Sequence, residues 1–203
     1  MEAADRHAGT PEQNDQLVRG RRKLGLKKLA IKVDIDTLRG YREGVPQMLD
    51  LFKKHGIKAS IFFSFGPDNS GKAIRRIFRK GFISKMMRTK APSTYGIKTL
   101  MYGTLLPAPM IVPSAPDIFV RASDEGHDCG VHAWDHVYVQ DELPGITKDE
   151  FLSLFERSAE MFEKLSGSKP LSCAAPGWQI SPVSLEVQEE AGLEYCSDTR
   201  GHS

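Results

Sequence analysis

The sequence is poor in cysteine and has no long apolar run. Its three cysteines, Cys129, Cys173 and Cys196, are an odd number without short paired spacing, which argues against a disulfide framework and for a reducing compartment. Residues 1–28 contain no apolar core of the kind that a secretory signal or a membrane span needs, and we expect them to form a disordered basic extension. The formal net charge is only +2 over 203 residues, and because no nucleic-acid-binding motif accompanies it, nucleic acid is not an expected partner. The simplest organisation is one domain over 29–203.

Acidic residues are absent between Asp68 and Asp117, although lysine and arginine are frequent there. In a segment at about 70–112 these basic residues alternate with large apolar ones, as in an amphipathic helix that lies in the headgroup region of a membrane. Each basic residue close to an anionic leaflet contributes about 1 kcal/mol, so this segment could hold a peripheral protein on a membrane surface. The alternative is a helical insertion that packs on the domain with its lysines in water. The residues expected to contact the membrane are Arg75, Arg76, Phe78, Arg79, Lys80, Phe82, Lys85, Met86 and Arg88.

Strand and helix patterns alternate along the chain, which predicts an α/β fold built from parallel βαβ units. The predicted strands are 29–35, 57–65, 127–131, 171–175 and 193–196. The predicted helices are 45–55, 114–122, one from the Thr147 capping box to Gly167, and one from Ser181 to Gly192. Between the first strand and the first helix, residues 37–43 are expected to form a loop.

Two acids stand at the end of the first predicted strand, and two histidines follow a later one. Carboxylates at the carboxyl end of an early strand, here Asp34 and Asp36, lie where α/β folds place their chemistry. His132 and His136 are four residues apart, so on one helical turn both imidazoles would share a face and could reach one ion. Such spacing is weak evidence by itself, and either histidine could be an ordinary core or surface residue.

Three motifs in this order resemble the NodB-type polysaccharide deacetylases (carbohydrate esterase family 4), which are metal-dependent hydrolases of N-acyl sugars. They are Asp34-x-Asp36, His132-x-x-x-His136 and the block Ala174-Ala175-Pro176-Gly177-Trp178. The resemblance implies a distorted (β/α) barrel, present here as an incomplete N-terminal portion because the chain stops before the family's late histidine motif. It also implies that Asp36, His132 and His136 bind a divalent metal ion and that Asp34 is the general base. Zinc, manganese, cobalt, nickel and iron all suit such ligands, and the sequence does not choose among them.

One position departs from the family pattern. The family's Arg-x-Pro motif, whose arginine pairs with the base aspartate, has Ala174 in the arginine position here. Arg39 or Arg42 could supply the missing positive charge beside Asp34 or bind the substrate phosphate, and each could equally be a surface residue.

Further residues around the motifs are candidates for the pocket. Pro176, Gly177 and Trp178 are expected to shape its wall and contact substrate, with core packing as the alternative for Trp178. Asp135 is a candidate acceptor for the second N–H of a metal-bound imidazole, a role that a backbone carbonyl could also fill, or it is an exposed acid in a turn. Cys173 could line the site, although an unpaired cysteine is usually a small buried hydrophobe.

Within the family, residues 33–46, 60–69 and 132–136 most resemble the branch that deformylates 4-deoxy-4-formamido-L-arabinose linked to undecaprenyl phosphate. This resemblance implies a peripheral enzyme at the cytoplasmic face of the bacterial inner membrane, in the pathway that adds aminoarabinose to lipid A and confers resistance to cationic peptides. Two alternatives remain: an N-deacetylase of another glycan such as peptidoglycan, and a catalytically silent membrane-surface protein.

Overall fold

Five parallel strands form one sheet, in the order in which they occur in the chain. The structure, a computed structural model, describes residues 29–73, 96 and 98–199. The strands are β1 (Lys32–Ile35), β2 (Ser60–Ser64), β3 (Asp128–Ala133), β4 (Ser172–Cys173) and β5 (Tyr195–Cys196). Each pairs in parallel with the next, which confirms the predicted parallel α/β sheet. The N-terminal extension and all the predicted membrane contacts between 75 and 88 lie outside the described residues.

Helices occupy the connections between the strands. They are α1 (Val45–His55), α2 (Pro116–Asp124), α3 (His136–Glu142), α4 (Lys148–Ser166) and α5 (Pro182–Glu190), with short 3-10 turns at Thr99–Met101, Val112–Ser114 and Pro176–Trp178. The bounds of α1 agree with the prediction because Pro46 fits its first turn and Gly56, at φ 64°, caps its end. Among the described helices, none has the length and apolar character to cross a bilayer.

The segment after β1 is helical, so the loop predicted at 37–43 is wrong. A π-helix, Gly40–Gly44, leads directly into α1. The hydroxyl of Thr37 accepts a hydrogen bond from the Gly40 N–H at 3.1 Å, and its carbonyl accepts one from the Tyr41 N–H at 2.9 Å. Tyr41 is fully buried and donates to the Ala115 carbonyl at 2.7 Å. These tertiary contacts stabilise a helical entry that local sequence patterns do not reveal.

Aromatic side chains fill the core between the sheet and two helices. Phe119 on α2 lies 5.1 Å from Phe63, 5.4 Å from Phe65 and 5.2 Å from Phe162 between ring centroids, all in edge-to-face contact. Such pairs contribute about 0.5–1.5 kcal/mol each beyond the area they bury. The cluster fixes β2 against α2 and α4, and so gives the neighbouring strand ends a rigid support.

The sheet curls until its two edge strands approach each other. Lys32 on β1 donates a hydrogen bond to the carbonyl of Ser197, just after β5, at 3.1 Å, although β2, β3 and β4 separate the two strands. Tyr195 on β5 contacts the Ser60 hydroxyl at 3.3 Å and also the Asp128 carboxylate. Curling of this kind brings alternate side chains of every strand together on one inner face, as in a barrel.

Candidate metal centre

One carboxylate and two imidazoles meet at the carboxyl ends of β1 and β3. Asp36 follows β1, His132 lies in β3, and His136 is the first residue of α3. The Asp36 Oδ1 atom is 3.1 Å from the Nε2 atom of His132 and 3.6 Å from that of His136. Because β1 and β3 both flank β2 in a parallel sheet, their carboxyl ends fall on one edge, where α/β folds bind ligands. The structure therefore brings together the three residues predicted to hold the metal.

The two histidines do not share one helical turn, which corrects the geometry expected from their spacing. His132 lies one residue before the end of β3 and His136 begins α3, and the extended residue Asp135 (φ −127°, ψ 100°) stands between them as the helix N-cap. Their rings nevertheless approach to 5.0 Å between centroids. The change of direction at the N-cap, rather than a helical repeat, brings both imidazoles to Asp36.

A backbone carbonyl fixes the tautomer of His132. Its Nδ1 atom lies 2.8 Å from the carbonyl oxygen of Ala174, and the side chain is only 2% exposed. A carbonyl can only accept, so Nδ1 carries the proton and Nε2 presents its lone pair to Asp36. A second N–H donated to a carbonyl is the usual support of a metal-bound imidazole.

Asp36 presents a covered oxygen that lacks a donor. Its side chain is 40% exposed as a whole, yet Oδ1 is buried and accepts no well-formed hydrogen bond from the described residues. Burial by itself raises the pKa of the carboxyl, but when the imidazoles are protonated, the hydrogen bond from His132 and the positive charges of His136 and His132 outweigh it and hold the pKa below its ordinary value. When His132 is neutral, the lone pair of its Nε2 atom faces this buried oxygen, which is unfavourable without a cation between them. The two-nitrogen, one-oxygen set therefore fits a divalent metal ion, and leaves positions for water and substrate.

Asp34 lies two residues before Asp36 and forms an ion pair with a lysine side chain. The Lys32 ammonium is 3.1 Å from Asp34 Oδ2, whereas Asp34 Oδ1 is buried and has no hydrogen-bond donor among the described residues. Sequence reasoning considered Arg39 and Arg42 for this position and missed Lys32. The available signal was the strand period of two, which places residues 32, 34 and 36 on the same face.

Asp135 has a structural task different from the one predicted. It is buried, not exposed. Its carboxylate caps α3 by accepting from the Tyr138 N–H at 3.0 Å, and it accepts from the Asn69 amide at 2.5 Å. The carbonyl of Ala174, rather than Asp135, supports His132. The prediction of an exposed acid in a turn is therefore wrong, and for His132 the acceptor of the second N–H is a backbone carbonyl, the other group considered from sequence.

The turn at Pro176–Trp178 forms the rim of the site. Pro176 is buried, whereas Trp178 is 43% exposed, so core packing does not describe its ring. Gly177 and Trp178 both have left-handed backbones, at φ 63° and φ 55°, and for tryptophan this conformation is unfavourable. The indole lies 5.6 Å from the Lys32 ammonium, so the turn aims an aromatic ring toward the centre of the sheet's inner face.

The remaining candidates lie around this centre. Arg39 and Arg42 are exposed on the helical segment after β1, and Arg39 forms a 3.0 Å ion pair with Glu43. Cys173 is buried and lies directly opposite Cys196 in the β4–β5 register. A hydrogen bond with the Cys196 thiol, together with burial, raises the pKa of Cys173, so this cysteine is a weak nucleophile.

The polysaccharide deacetylase family model matches residues 22–196. The match covers most of the 203 residues, and the chain belongs to this family. A protein of Shewanella sediminis (strain HAW-EB3), named "Probable 4-deoxy-4-formamido-L-arabinose-phosphoundecaprenol deformylase ArnD", is 42% identical over 177 residues, which are 87% of this chain and 58% of the relative. A Wigglesworthia glossinidia brevipalpis protein of the same name is 28% identical over 164 residues, 80% of this chain and 57% of the relative. This chain thus spans less than three fifths of the curated relatives that it matches.

The fold agrees with solved structures. A family 4 carbohydrate esterase from Bacillus anthracis superposes with a TM-score of 0.52 at 16% identity, covering 82% of this chain and 56% of that one. At this identity the likeness concerns the fold, and it supports the NodB-type architecture expected from the motifs.

Proposed function

We propose that this chain is the metal-binding portion of a hydrolase that removes the formyl group from 4-deoxy-4-formamido-L-arabinose carried on undecaprenyl phosphate. The observation that carries the proposal is the Asp36, His132 and His136 cluster, whose buried carboxylate oxygen has no hydrogen-bond donor in the described part of the chain. It occurs in a chain that is 42% identical to a relative named for this activity. The product would be formate and an amino sugar that remains attached to the lipid.

In this proposal Asp36, His132 and His136 would hold a divalent ion, and Asp34 is the general base. The ion, when bound, lowers the pKa of water and polarises the formyl oxygen. Asp34 takes a proton from the attacking water, whose oxygen forms a bond to the formyl carbon while the carbonyl π electrons move onto the formyl oxygen. When the carbonyl forms again, the carbon–nitrogen bond breaks, and the amine leaves with the electron pair of that bond and takes up a proton. His132 stays in one tautomer throughout because Ala174 accepts from its Nδ1.

Residues around the centre would bind the rest of the substrate. The half-exposed indole of Trp178 offers a flat apolar face to a sugar ring at the rim, with Pro176 and Gly177 fixing the turn that carries it. Arg39 and Arg42, which are exposed on the segment after β1, would bind the lipid phosphate, because a planar guanidinium pairs with phosphate oxygens.

The substrate also implies where the protein works. A polyprenyl-linked sugar stays in the bilayer, so we place this chain at the cytoplasmic face of the inner membrane, in the modification of lipid A with aminoarabinose. The basic, apolar segment from Arg75 to Arg88 is the proposed contact with anionic lipids.

Formate release tests the proposed reaction. The metal-stripped chain is mixed with the lipid-linked formamido sugar in detergent micelles and with each of zinc, manganese, cobalt, nickel or ferrous iron, and formate is measured through formate dehydrogenase. Asp34→Asn should retain the metal and lose activity by about 10²–10⁴-fold. The exposed Asp149→Asn is the matched control and should be fully active. Acetate release from an N-acetylated glycan, without formate release, would favour the glycan deacetylase instead.

Vesicle binding tests the membrane contact. The chain should sediment with vesicles containing phosphatidylglycerol, less so at high salt, and weakly with phosphatidylcholine alone. Replacing Arg75, Arg76 and Arg79 by glutamate should release it, whereas replacing the exposed Lys53 and Lys54 on α1 should not. Vesicle binding by a chain that holds metal but hydrolyses neither substrate would identify the catalytically silent membrane-surface protein.

A further inference from the structure

Lys32 is a cation enclosed by the site rather than a surface lysine. It stands at the start of β1, and its side chain is only 25% exposed. Four groups surround its ammonium: the Asp34 carboxylate at 3.1 Å, the Ser197 carbonyl at 3.1 Å, and the rings of Phe62 and Trp178 at 5.4 Å and 5.6 Å from their centroids. These partners come from β1, β2, the end of β5 and the rim turn. An ammonium held on several sides by partners from four segments has little freedom to move.

The Lys32 contact distinguishes the two oxygens of Asp34. Oδ2 is tied to the ammonium, while Oδ1 is buried and accepts nothing from the described residues. A carboxylate with one oxygen tied cannot rotate freely, because rotation would separate the paired charges in a partly buried setting. The remaining oxygen is then held in one direction with its lone pairs available.

We propose that Lys32 is a positioning residue, which ties Asp34 Oδ2 and thereby leaves Oδ1 as the oxygen that accepts a proton from the attacking water. This inference rests on the proposed function of Asp34 as the base. It also assigns a purpose to the rim turn, because the strained Trp178 backbone places its ring against the Lys32 ammonium. Lys32 can form this ion pair because it lies two positions before Asp34, on the same face of the strand.

Kinetics of two Lys32 variants test the proposal. Lys32→Met keeps the length of the side chain and removes its charge, and Lys32→Arg keeps the charge. We expect Lys32→Met to lower kcat for formate release on the order of 10²-fold, as loss of alignment does, with KM changed less than about 3-fold and the metal content unchanged. Lys32→Arg should recover most of kcat. Wild-type kcat in Lys32→Met would overturn the proposal, as would a Lys32→Arg variant as slow as Lys32→Met.

A double-mutant cycle tests the ion pair between Lys32 and Asp34 without any activity measurement. Lys32→Met leaves a partly buried Asp34 without its lysine and should lower Tm, whereas the pair Lys32→Met with Asp34→Asn removes both charges and should melt above Lys32→Met alone. If the Tm shifts of the two single variants add up to that of the double variant, the two side chains do not interact and the proposed ion pair is refuted. If the wild-type chain released no formate but the cycle showed coupling, the proposed reaction would fail while the Lys32–Asp34 tie would stand. If Lys32→Met does not fold, recovery of folding in the double variant gives the same answer.

Discussion

Replacement of Asp36 by alanine should change stability in opposite directions with and without metal. In the metal-free chain at pH 8, where imidazoles are ordinarily neutral, Asp36 Oδ1 is buried, faces two ring nitrogens at 3.1 Å and 3.6 Å, and has no hydrogen-bond donor among the described residues. Removing an unsatisfied buried oxygen should leave Tm unchanged or raise it. In the presence of metal the same substitution removes a ligand and should lower Tm.

The expected shift follows from binding linkage. Metal at 100 times its Kd stabilises the folded chain by about 2.7 kcal/mol. For a domain of this size, 1 kcal/mol shifts Tm by about 2–4 °C, so metal should raise the wild-type Tm by about 5–11 °C. If loss of the carboxylate weakens binding by about 100-fold, the same metal concentration stabilises Asp36→Ala by about 0.4 kcal/mol. Its Tm should then rise by only about 1–2 °C.

Thermal unfolding followed by circular dichroism, with and without metal, measures both quantities. Elemental analysis of the dialysed proteins gives the ion content in parallel, and His132→Ala should lose the ion as Asp36→Ala does. His55→Ala, an exposed histidine at the end of α1, and Asp149→Asn are matched controls that should keep the wild-type response. An equal drop in the Tm of Asp36→Ala under both conditions would mean that the carboxylate has a structural role, and would refute the metal centre.

Three further predictions concern other parts of the molecule. The pKa of His127 lies below its usual 6.5, chiefly because of burial, so the unfolded chain takes up the proton first and stability should fall as pH drops below about 6.5. His127→Asn should flatten this slope in Tm against pH, and an unchanged slope would contradict the assignment. Cys196 is exposed, and its pKa is lowered by a hydrogen bond from the neighbouring thiol of Cys173. That hydrogen bond and burial raise the pKa of Cys173, and burial raises the pKa of Cys129. At pH 8, DTNB should therefore react rapidly with one thiol, and this rapid reaction should be absent from Cys196→Ser. Rapid reaction of two thiols would be inconsistent with the packing. Gly66→Ala should destabilise by about 1–3 kcal/mol in urea unfolding, because its Cβ would lie 2.1 Å from the Trp134 carbonyl. Gly44→Ala, with nothing within 4 Å, is the control, and equal effects of the two would contradict this account.

Local signals in the sequence were sufficient for most elements of the fold. Pro46 and Gly56 predicted α1 to the residue, and the Thr147 N-cap and Gly167 gave the bounds of α4. The strands were predicted in the correct places, but four of the five were predicted too long, and β3 was predicted to end two residues early. Leu29, for example, is apolar yet 86% exposed, and lies outside β1. Strand ends depend on which neighbours are available for pairing, and a single segment does not contain that information.

The candidate ligands Asp36, His132 and His136 were also identified from sequence, because their types and order form a motif in the polysaccharide deacetylase family. Their distances could not be predicted. The histidine spacing suggested one helical turn, whereas the structure divides the pair between β3 and α3 at the Asp135 cap. The sequence therefore determined that the candidate ligands are a carboxylate and two imidazoles. The order of the parallel strands determined that these side chains lie close together.

The sequence alone thus determined the class of fold, the ends of α1 and α4 and the chemical types at the centre, since these depend on periodicity, caps and motifs within a few residues of one another. By contrast, α2 begins and ends two residues later than predicted, and α3 was not predicted. Tertiary structure decided which groups meet. The cation beside Asp34 is Lys32, and not Arg39 or Arg42. The group that accepts a hydrogen bond from His132 Nδ1 is the Ala174 carbonyl, and not Asp135. The physical reason is that these contacts depend on the curl of the sheet, which brings β1 to within one lysine side chain of the end of β5, and that curl is the summed result of packing along the whole chain.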